Sequence, residues 1–271
     1  MTWVTTSDAA RFLAGAGPFL VSDPVANNAL LTEASFWAQL PDPAPGARFG
    51  WWAEGGETGG AFVDIPDHPV LCSPLGAAAV ADLAHELAGA TSVAVQASDV
   101  DALDEAWRAR GGAVRTVATR TLLRLVALRE PAQPAGAPRV ADAGDLPLLR
   151  SWFDLFAQRH PDDSSHVEFV VDHPLRDGAV VIWEVGDEPV AMCSRTPRVQ
   201  GMTRMGLAFQ PAEGTTYSDA AFAAGCGGAS RTAEHVLALG SGPGPTAALR
   251  SLGFAPVLER VVLQVRHGPA R

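Results

Sequence analysis

Residues 204–254 run RMGLAFQPAEGTTYSDAAFAAGCGGASRTAEHVLALGSGPGPTAALRSLGF, and the order of patterns in this stretch decides the fold. A strand ends at Phe209, a Pro-containing turn follows at Pro211, and a helix rich in small residues comes next. The strand Glu234–Leu239, a short helix and a Gly253-Phe254 corner complete the unit, and PVLERVVLQV (residues 256–265) supplies a further strand. The helix after the turn begins near Tyr217. Its N-terminus carries unpaired N–H groups and the positive end of the helix dipole, which favour an anion.

Composition bounds what this unit can serve. With 271 residues the chain has room for two modest domains, and 47% hydrophobic residues suit globular cores. A net charge of -10 and a pI near 5.1 oppose a polyphosphate backbone, so nucleic acid is not an expected partner. No apolar run approaches the roughly 18 to 20 residues that span a bilayer, and MTWVTTSDAARFLAG has no basic start followed by an apolar core. The expectation is a cytoplasmic protein with no membrane partner. The cysteines Cys72, Cys193 and Cys226 are widely spaced and form no metal-ligand motif, so small buried side chains are expected. Lysine is absent, which excludes Schiff-base chemistry and a lysine-dependent phosphate loop.

Upstream, the patterns fall into two halves, 1–130 and 139–271, with the Pro/Ala/Gly-rich residues 131–138 as the expected linker. In the first half Ser7 is the expected cap of a short helix through Ala14 that Gly15–Pro18 would end, and a second helix is expected over Pro24–Leu40. Arg48–Ala53 and Gly60–Ile65 flank the turn-rich EGGETG and read as a hairpin. A helix over Pro74–Leu87, a strand Ser92–Gln96, a helix Asp99–Arg110 capped by Asp99 and strands within Val114–Leu128 follow. In the second half we expect a short strand Arg139–Ala141, a helix Gly144–His160, a further helix Ser164–Val171, a hairpin of Gly178–Val185 and Pro189–Thr196, and the strand Gly201–Phe209.

This order, with IWEVGDEPVAMCSRTP (182–197) leading into GMTRMGLAFQP (201–211), resembles the GCN5-related N-acetyltransferase (GNAT) superfamily. It is most similar to the actinobacterial tandem type, in which a degenerate half precedes an active one. The resemblance implies an α/β (α+β) fold of two GNAT-like halves. Each would be a mixed, twisted, mostly antiparallel sheet flanked by helices, with a splayed parallel strand pair in the C-terminal half. It also implies an acyl-CoA donor and a small-molecule amine acceptor. The pantetheine arm of acetyl-CoA would lie along Leu207, Ala208 and Phe209, and its pyrophosphate over Gly214, Thr215, Thr216 and Tyr217.

Two positions depart from that pattern. The family's turn carries an Arg and two glycines, whereas Pro211–Tyr217 (PAEGTTY) has one Gly and no Arg. The family's cofactor-touching Asn corresponds to Gly242, and the Tyr that protonates the leaving thiolate corresponds to Leu249. The candidate catalytic groups are therefore Glu184, as acceptor of an amine proton, and Tyr217, the only tyrosine. An outward or strand-edge carboxylate is the commoner reading of Glu184. His160, Asp162, Asp163, His166, Glu168, Asp172 and His173 form the densest titratable cluster; it reads as a solvated face or an acceptor-pocket wall, and matches no metal signature. Two classes of function stay open. One is an N-acyltransferase; the other is a GNAT-fold protein that has lost acetyl-CoA chemistry, as a repurposed enzyme of specialised metabolism or a ligand-binding pseudoenzyme.

Overall fold

The computed structural model describes residues 2–40, 45–161, 163 and 165–267. The chain divides into two compact units, residues 1–122 with 257–271, and residues 123–256. The last strand thus belongs with the first unit.

In the first unit the strands lie in the order β1-β2-β3-β4-β5-β12-β6. These are β1 (Thr2–Thr6), β2 (Arg48–Glu54), β3 (Glu57–Asp64), β4 (Val70–Cys72), β5 (Ser92–Gln96), β6 (Ala113–Leu125) and β12 (Phe254–Arg266). β4 and β5 run parallel; β12 is antiparallel to β5, with Arg260 opposite Gln96 and Gln264 opposite Ser92. Four helices pack on this sheet: α1 (Ala9–Ser22), α2 (Asn28–Trp37), α3 (Ala77–Glu86) and α4 (Val100–Ala109). Trp3, Trp52, Phe62, Leu83, Trp107 and Leu263 anchor the core.

Two local expectations fail here for a tertiary reason. α1 does not stop at Gly15–Pro18 but runs to Ser22 with Pro18 inside it, and its cap is Asp8 rather than Ser7. Asp8 Oδ1 accepts from the N–H groups of Ala10 at 2.8 Å and Arg11 at 3.1 Å. The buried positions Ala9, Phe12, Ala16 and Leu20 keep helical spacing across the Gly-Pro stretch. A Cβ on Gly15 would lie 2.7 Å from the Trp51 ring, so the glycine lets the helix close on the indole. Packing of the apolar face outweighs the local propensity. β1 was not anticipated; it pairs antiparallel with β2 and sets Trp3 edge-on to Trp52 at 5.8 Å.

Between β4 and α3 the chain is short and stays bound to β3. Ser73 N–H donates to Ala61 O at 2.9 Å, Ala61 N–H to Ser73 Oγ at 2.9 Å and Gly76 N–H to Gly59 O at 3.1 Å.

The second unit has the strand order β11-β10-β9-β8-β7. Its strands are β7 (Ala137–Val140), β8 (Val180–Val185), β9 (Glu188–Arg195), β10 (Met202–Phe209) and β11 (His235–Gly240). Its helices are α5 (Leu146–Arg159), α6 (His173–Arg176), α7 (Tyr217–Ser230) and α8 (Pro243–Ser251), with a π-helical turn over Glu168–Asp172. Asp162, of the titratable cluster, and Ser164, expected to start a helix, lie outside the described residues. Pro138, expected in a linker too Pro-rich for a sheet, sits in β7 opposite Trp183. β7 ends the strand order, where a missing N–H costs no ladder bond.

Each face of this sheet carries its own apolar cluster. Trp183, Cys193, Met205 and Ala238 pack with α7, whereas Ile182, Met192 and Phe209 pack with α5 and Val171. The three cysteines are buried free thiols. Burial pushes Cys72 and Cys226 up to about 12 and Cys193 well above its ordinary value, so none offers a thiolate. Among the described residues no helix is long and apolar enough to cross a membrane.

The Gly253-Phe254 corner rests on a close backbone approach. Gly253 has φ 98°, and a Cβ there would lie 1.8 Å from Ala127 O. Its carbonyl accepts from Val126 N–H at 3.1 Å, and Leu252 O accepts from Arg129 N–H at 3.0 Å. Gly253→Ala is expected to lower stability by about 1–3 kcal/mol, through backbone strain and separation of these segments. Urea unfolding checks this; an unchanged midpoint refutes it.

Candidate functional site

The two parallel strands of the second unit part. β10 and β11 pair at Met202–His235, Thr203–Val236 and Arg204–Leu237, and both then continue, to Phe209 and Gly240, beyond the paired positions. On its other side β10 stays paired with β9, through a bulge between Met205 and Ala208. Gly206 stands in that bulge, where a Cβ would sit 2.8 Å from Ser194 Oγ. The extra residue re-aims the strand. Met205 packs on the α7 side, yet Leu207, two residues on, packs with Phe209 on the α5 side, and Ala208 faces α7. Past Arg204, the β10 backbone edge towards β11 is thus open to a ligand that pairs as a strand does.

The turn that follows is closed by a residue sequence reasoning overlooked. Gln210 Oε1 accepts from Ser218 N–H at 2.8 Å, and Gln210 Nε2 donates to the carbonyls of Ala212 and Thr215, each at 2.9 Å. Thr216 stands at the N-cap of α7 but its side chain makes no capping bond. Gln210 therefore caps the helix from outside, in the place where an N-cap side chain ordinarily serves. Gly214 has φ 74°, which the turn requires of it. Arg159, at the end of α5, donates to Pro211 O at 2.8 Å and lies 5.6 Å over the Phe209 ring. It is the nearest cation to the loop that the hydrogen bonds identify, and it comes from another element.

Gly214, Thr215 and Thr216 are exposed in this turn, and Tyr217 opens α7 half-buried against the α7-side cluster. Leu207, Ala208 and Phe209 thus end β10, and Gly214, Thr215, Thr216 and Tyr217 follow across the turn that Gln210 closes, leading into α7. Gly242, with φ 92°, precedes α8, and Leu249 packs into the same apolar cluster. Neither corresponding position offers a polar atom.

Glu184 lies elsewhere. It is opposite Ala137 of the terminal strand β7, and its Oε1 accepts from Arg139 Nε at 2.6 Å. Arg139 also grips Asp145 with two bonds, Nη1–Oδ2 at 2.6 Å and Nη2–Oδ1 at 2.8 Å. That guanidinium holds the Asp145 carboxyl below its ordinary range, and the two carboxylates raise Arg139 in turn. Asp145 also accepts from Asp142 N–H at 2.8 Å in a capping box ahead of α5. Glu184 alternates with Trp183, which packs on the α7 side, so it faces the α5 side. Tyr217 is on the other face. The structure does not bring these two together.

The titratable cluster is largely self-satisfied. Arg150 holds Asp172 through two bonds of 3.0 and 2.9 Å and keeps its carboxyl below the usual value. The His160 ring lies 4.8 Å from Phe156, and His166, Phe169 and His173 follow one another at 6.3 and 6.4 Å between rings. No group of three or more metal-ligating side chains occurs among the described residues. Neither the Arg139 triad nor the Gln210 cap was visible beforehand. The first depends on strand register between residues 45 apart; the second is a side chain turning back on its own loop.

No protein-family model matches the chain, and no curated protein matches it by sequence. Solved structures do match. A GCN5-related N-acetyltransferase from Sphaerobacter thermophilus aligns with a TM-score of 0.63 at 15% identity, over 99% of this chain and 97% of that one. A Drosophila protein aligns at 0.64 and 16% identity over 98% of both chains. An acetyltransferase from the GNAT family of Colwellia psychrerythraea aligns at 0.59 and 7% identity, over 98% of this chain and 100% of that one. Identities this low speak to architecture, and the parted parallel pair agrees with them: over both units, the chain has the fold of the GCN5-related N-acetyltransferases.

Proposed function

We propose that the chain is an N-acyltransferase that moves an acetyl or other acyl group from acyl-CoA to the amine of a small molecule. The observation that supports this reading is the parting of β10 from β11 after Arg204, with the bulge at Gly206 beside it. The donor supplies a thioester carbonyl. In this reading the backbone of Leu207, Ala208 and Phe209 binds the pantetheine amides as an added strand. The acyl carbonyl lies near the bulge, where an unpaired N–H can polarise it. The neutral amine attacks the carbonyl carbon, the C–S bond breaks, the new amide nitrogen gives up one proton to solvent, and the departing thiolate takes one. Tyr217 is the candidate donor of that proton, since Leu249 cannot serve.

The fit of acyl-CoA to the chain is uneven. The open strand edge suits pantetheine. The seat for a diphosphate at the α7 N-terminus is taken by Gln210, and the adjoining turn carries the acidic Glu213 in place of an arginine. Glu184 is engaged by Arg139 beside β7, on the sheet face away from Tyr217, and so is a poor candidate base. These two observations favour a second reading, a GNAT-fold protein that has left acetyl-CoA chemistry as a repurposed enzyme or a ligand-binding pseudoenzyme.

Calorimetric titration with acetyl-CoA separates the two. The transferase reading expects a dissociation constant around the micromolar range; no binding near 1 mM overturns it in favour of the second. The Arg139 triad gives an independent expectation. Arg139→Gln is expected to cost about 1–2 kcal/mol near pH 7, after allowance for solvent screening. Asp145 sits below its ordinary value of 3.8 in the folded protein, so its contribution is complete above that pH and is lost as pH falls through the depressed value. The stability gap between wild type and Arg139→Gln should therefore narrow below about pH 4. A gap independent of pH, measured by urea unfolding at a series of pH values, refutes this account.

A further inference from the structure

The geometry points to Gln210 as the residue that sets which part of the acyl donor is read: the donor is recognised through its acyl-pantetheine arm, and the nucleotide end contributes little. This inference rests on the acyltransferase reading above and goes beyond it to donor specificity. Its basis is that Gln210 fills, with the protein's own atoms, the seat a donor phosphate would need.

The amide is fully committed. Its oxygen takes the Ser218 N–H, the second in α7, and its two N–H groups take the carbonyls of Ala212 and Thr215. Only this orientation matches donors to acceptors, since a flipped amide would set N–H against N–H and oxygen against two carbonyls. Three bonds of 2.8 to 2.9 Å therefore close the turn into a ring around one side chain. The peptide on either side is held as well, because Arg159 donates to Pro211 O at 2.8 Å and Gln210 O at 3.5 Å while its guanidinium covers the Phe209 ring.

A phosphate oxygen reaching Ser218 N–H must first displace Gln210, which leaves the Ala212 and Thr215 carbonyls without their donor. It then meets Glu213 in the same turn; no basic residue lies between Gln210 and Arg231, and Arg159 at the turn is already engaged by the Gln210 and Pro211 carbonyls. Repulsion and lost bonds oppose the diphosphate together. The open edge of β10 from Leu207 to Phe209 lies before Gln210 in the chain and is untouched by this closure, so the pantetheine amides keep their partners. A donor without its nucleotide is then bound about as well as the complete one.

The test compares acetyl-CoA with S-acetylpantetheine, which has neither diphosphate nor adenosine, by calorimetric titration of wild type, Gln210→Ala and Gln210→Glu. For wild type the two dissociation constants should agree within about threefold. In Gln210→Ala the vacated Ser218 N–H, at the α7 N-terminus, admits a phosphate oxygen, and acetyl-CoA should tighten by about tenfold relative to S-acetylpantetheine. Gln210→Glu keeps an acceptor for Ser218 and adds a negative charge, so it should shift the ratio the other way. Wild type preferring acetyl-CoA by about tenfold or more overturns the inference alone and leaves the transferase reading standing. Wild type binding neither donor overturns both. The wild-type ratio decides even if Gln210→Ala loosens the turn; a variant intact by thermal melting whose ratio equals that of wild type also overturns the inference.

Discussion

The site depends on a single steric constraint, the contact of the β10 bulge with Ser194. Because Gly206 has no side chain, the β10 backbone can bend against Ser194, and that bend takes the strand away from β11 after Arg204. The same extra residue reverses the alternation, so Leu207 and Phe209 join the α5 cluster while Ala208 faces α7. One bulge thus makes the opening, exposes a backbone edge within it and fixes which side chains wall it.

In each unit a strand-to-helix connection is held by the protein's own atoms, by different routes. In the first, Ser73 and Gly76 stay hydrogen-bonded to β3, and the chain passes from β4 to α3 without a free loop. In the second the loop is present, but Gln210 spans it and caps α7. Helix N-termini need acceptors whether or not a ligand supplies them. In α7, where the N-cap Thr216 makes no side-chain capping bond, Gln210 takes that place.

Features set by local pattern were legible in the sequence. The hairpins around GG and GDE, the amphipathic stripe of α5 and the strand, turn and helix over 204–230 all follow from periodicity and turn chemistry. What escaped depends on contacts distant in sequence. α1 runs through Gly15 and Pro18 because the Trp51 ring lies against Gly15; Pro138 enters a sheet because β7 ends the strand order; Glu184 meets Arg139 because the register sets them diagonally across the β7–β8 pair. At the candidate site, the missing arginine and tyrosine could be read from residue identity alone. That the vacated place is filled by Gln210 could not, because no propensity rule links a strand-terminal glutamine to the cap of the next helix.

The assignment of β12 to the first unit has a consequence for the order of events during synthesis. Val261, Leu263 and Val265 belong to the same apolar cluster as Trp3, Leu83 and Trp107, and β12 is hydrogen-bonded along β5. Residues 2–122 precede the second unit in the chain, but their core lacks one strand until residues 257–266 have been made. The second unit, contained in 123–256, has all its strands first. The unit whose residues come first in the chain is therefore the one whose sheet is completed last, and until then the edge of β5 that β12 covers must be kept from pairing with strands of other nascent chains.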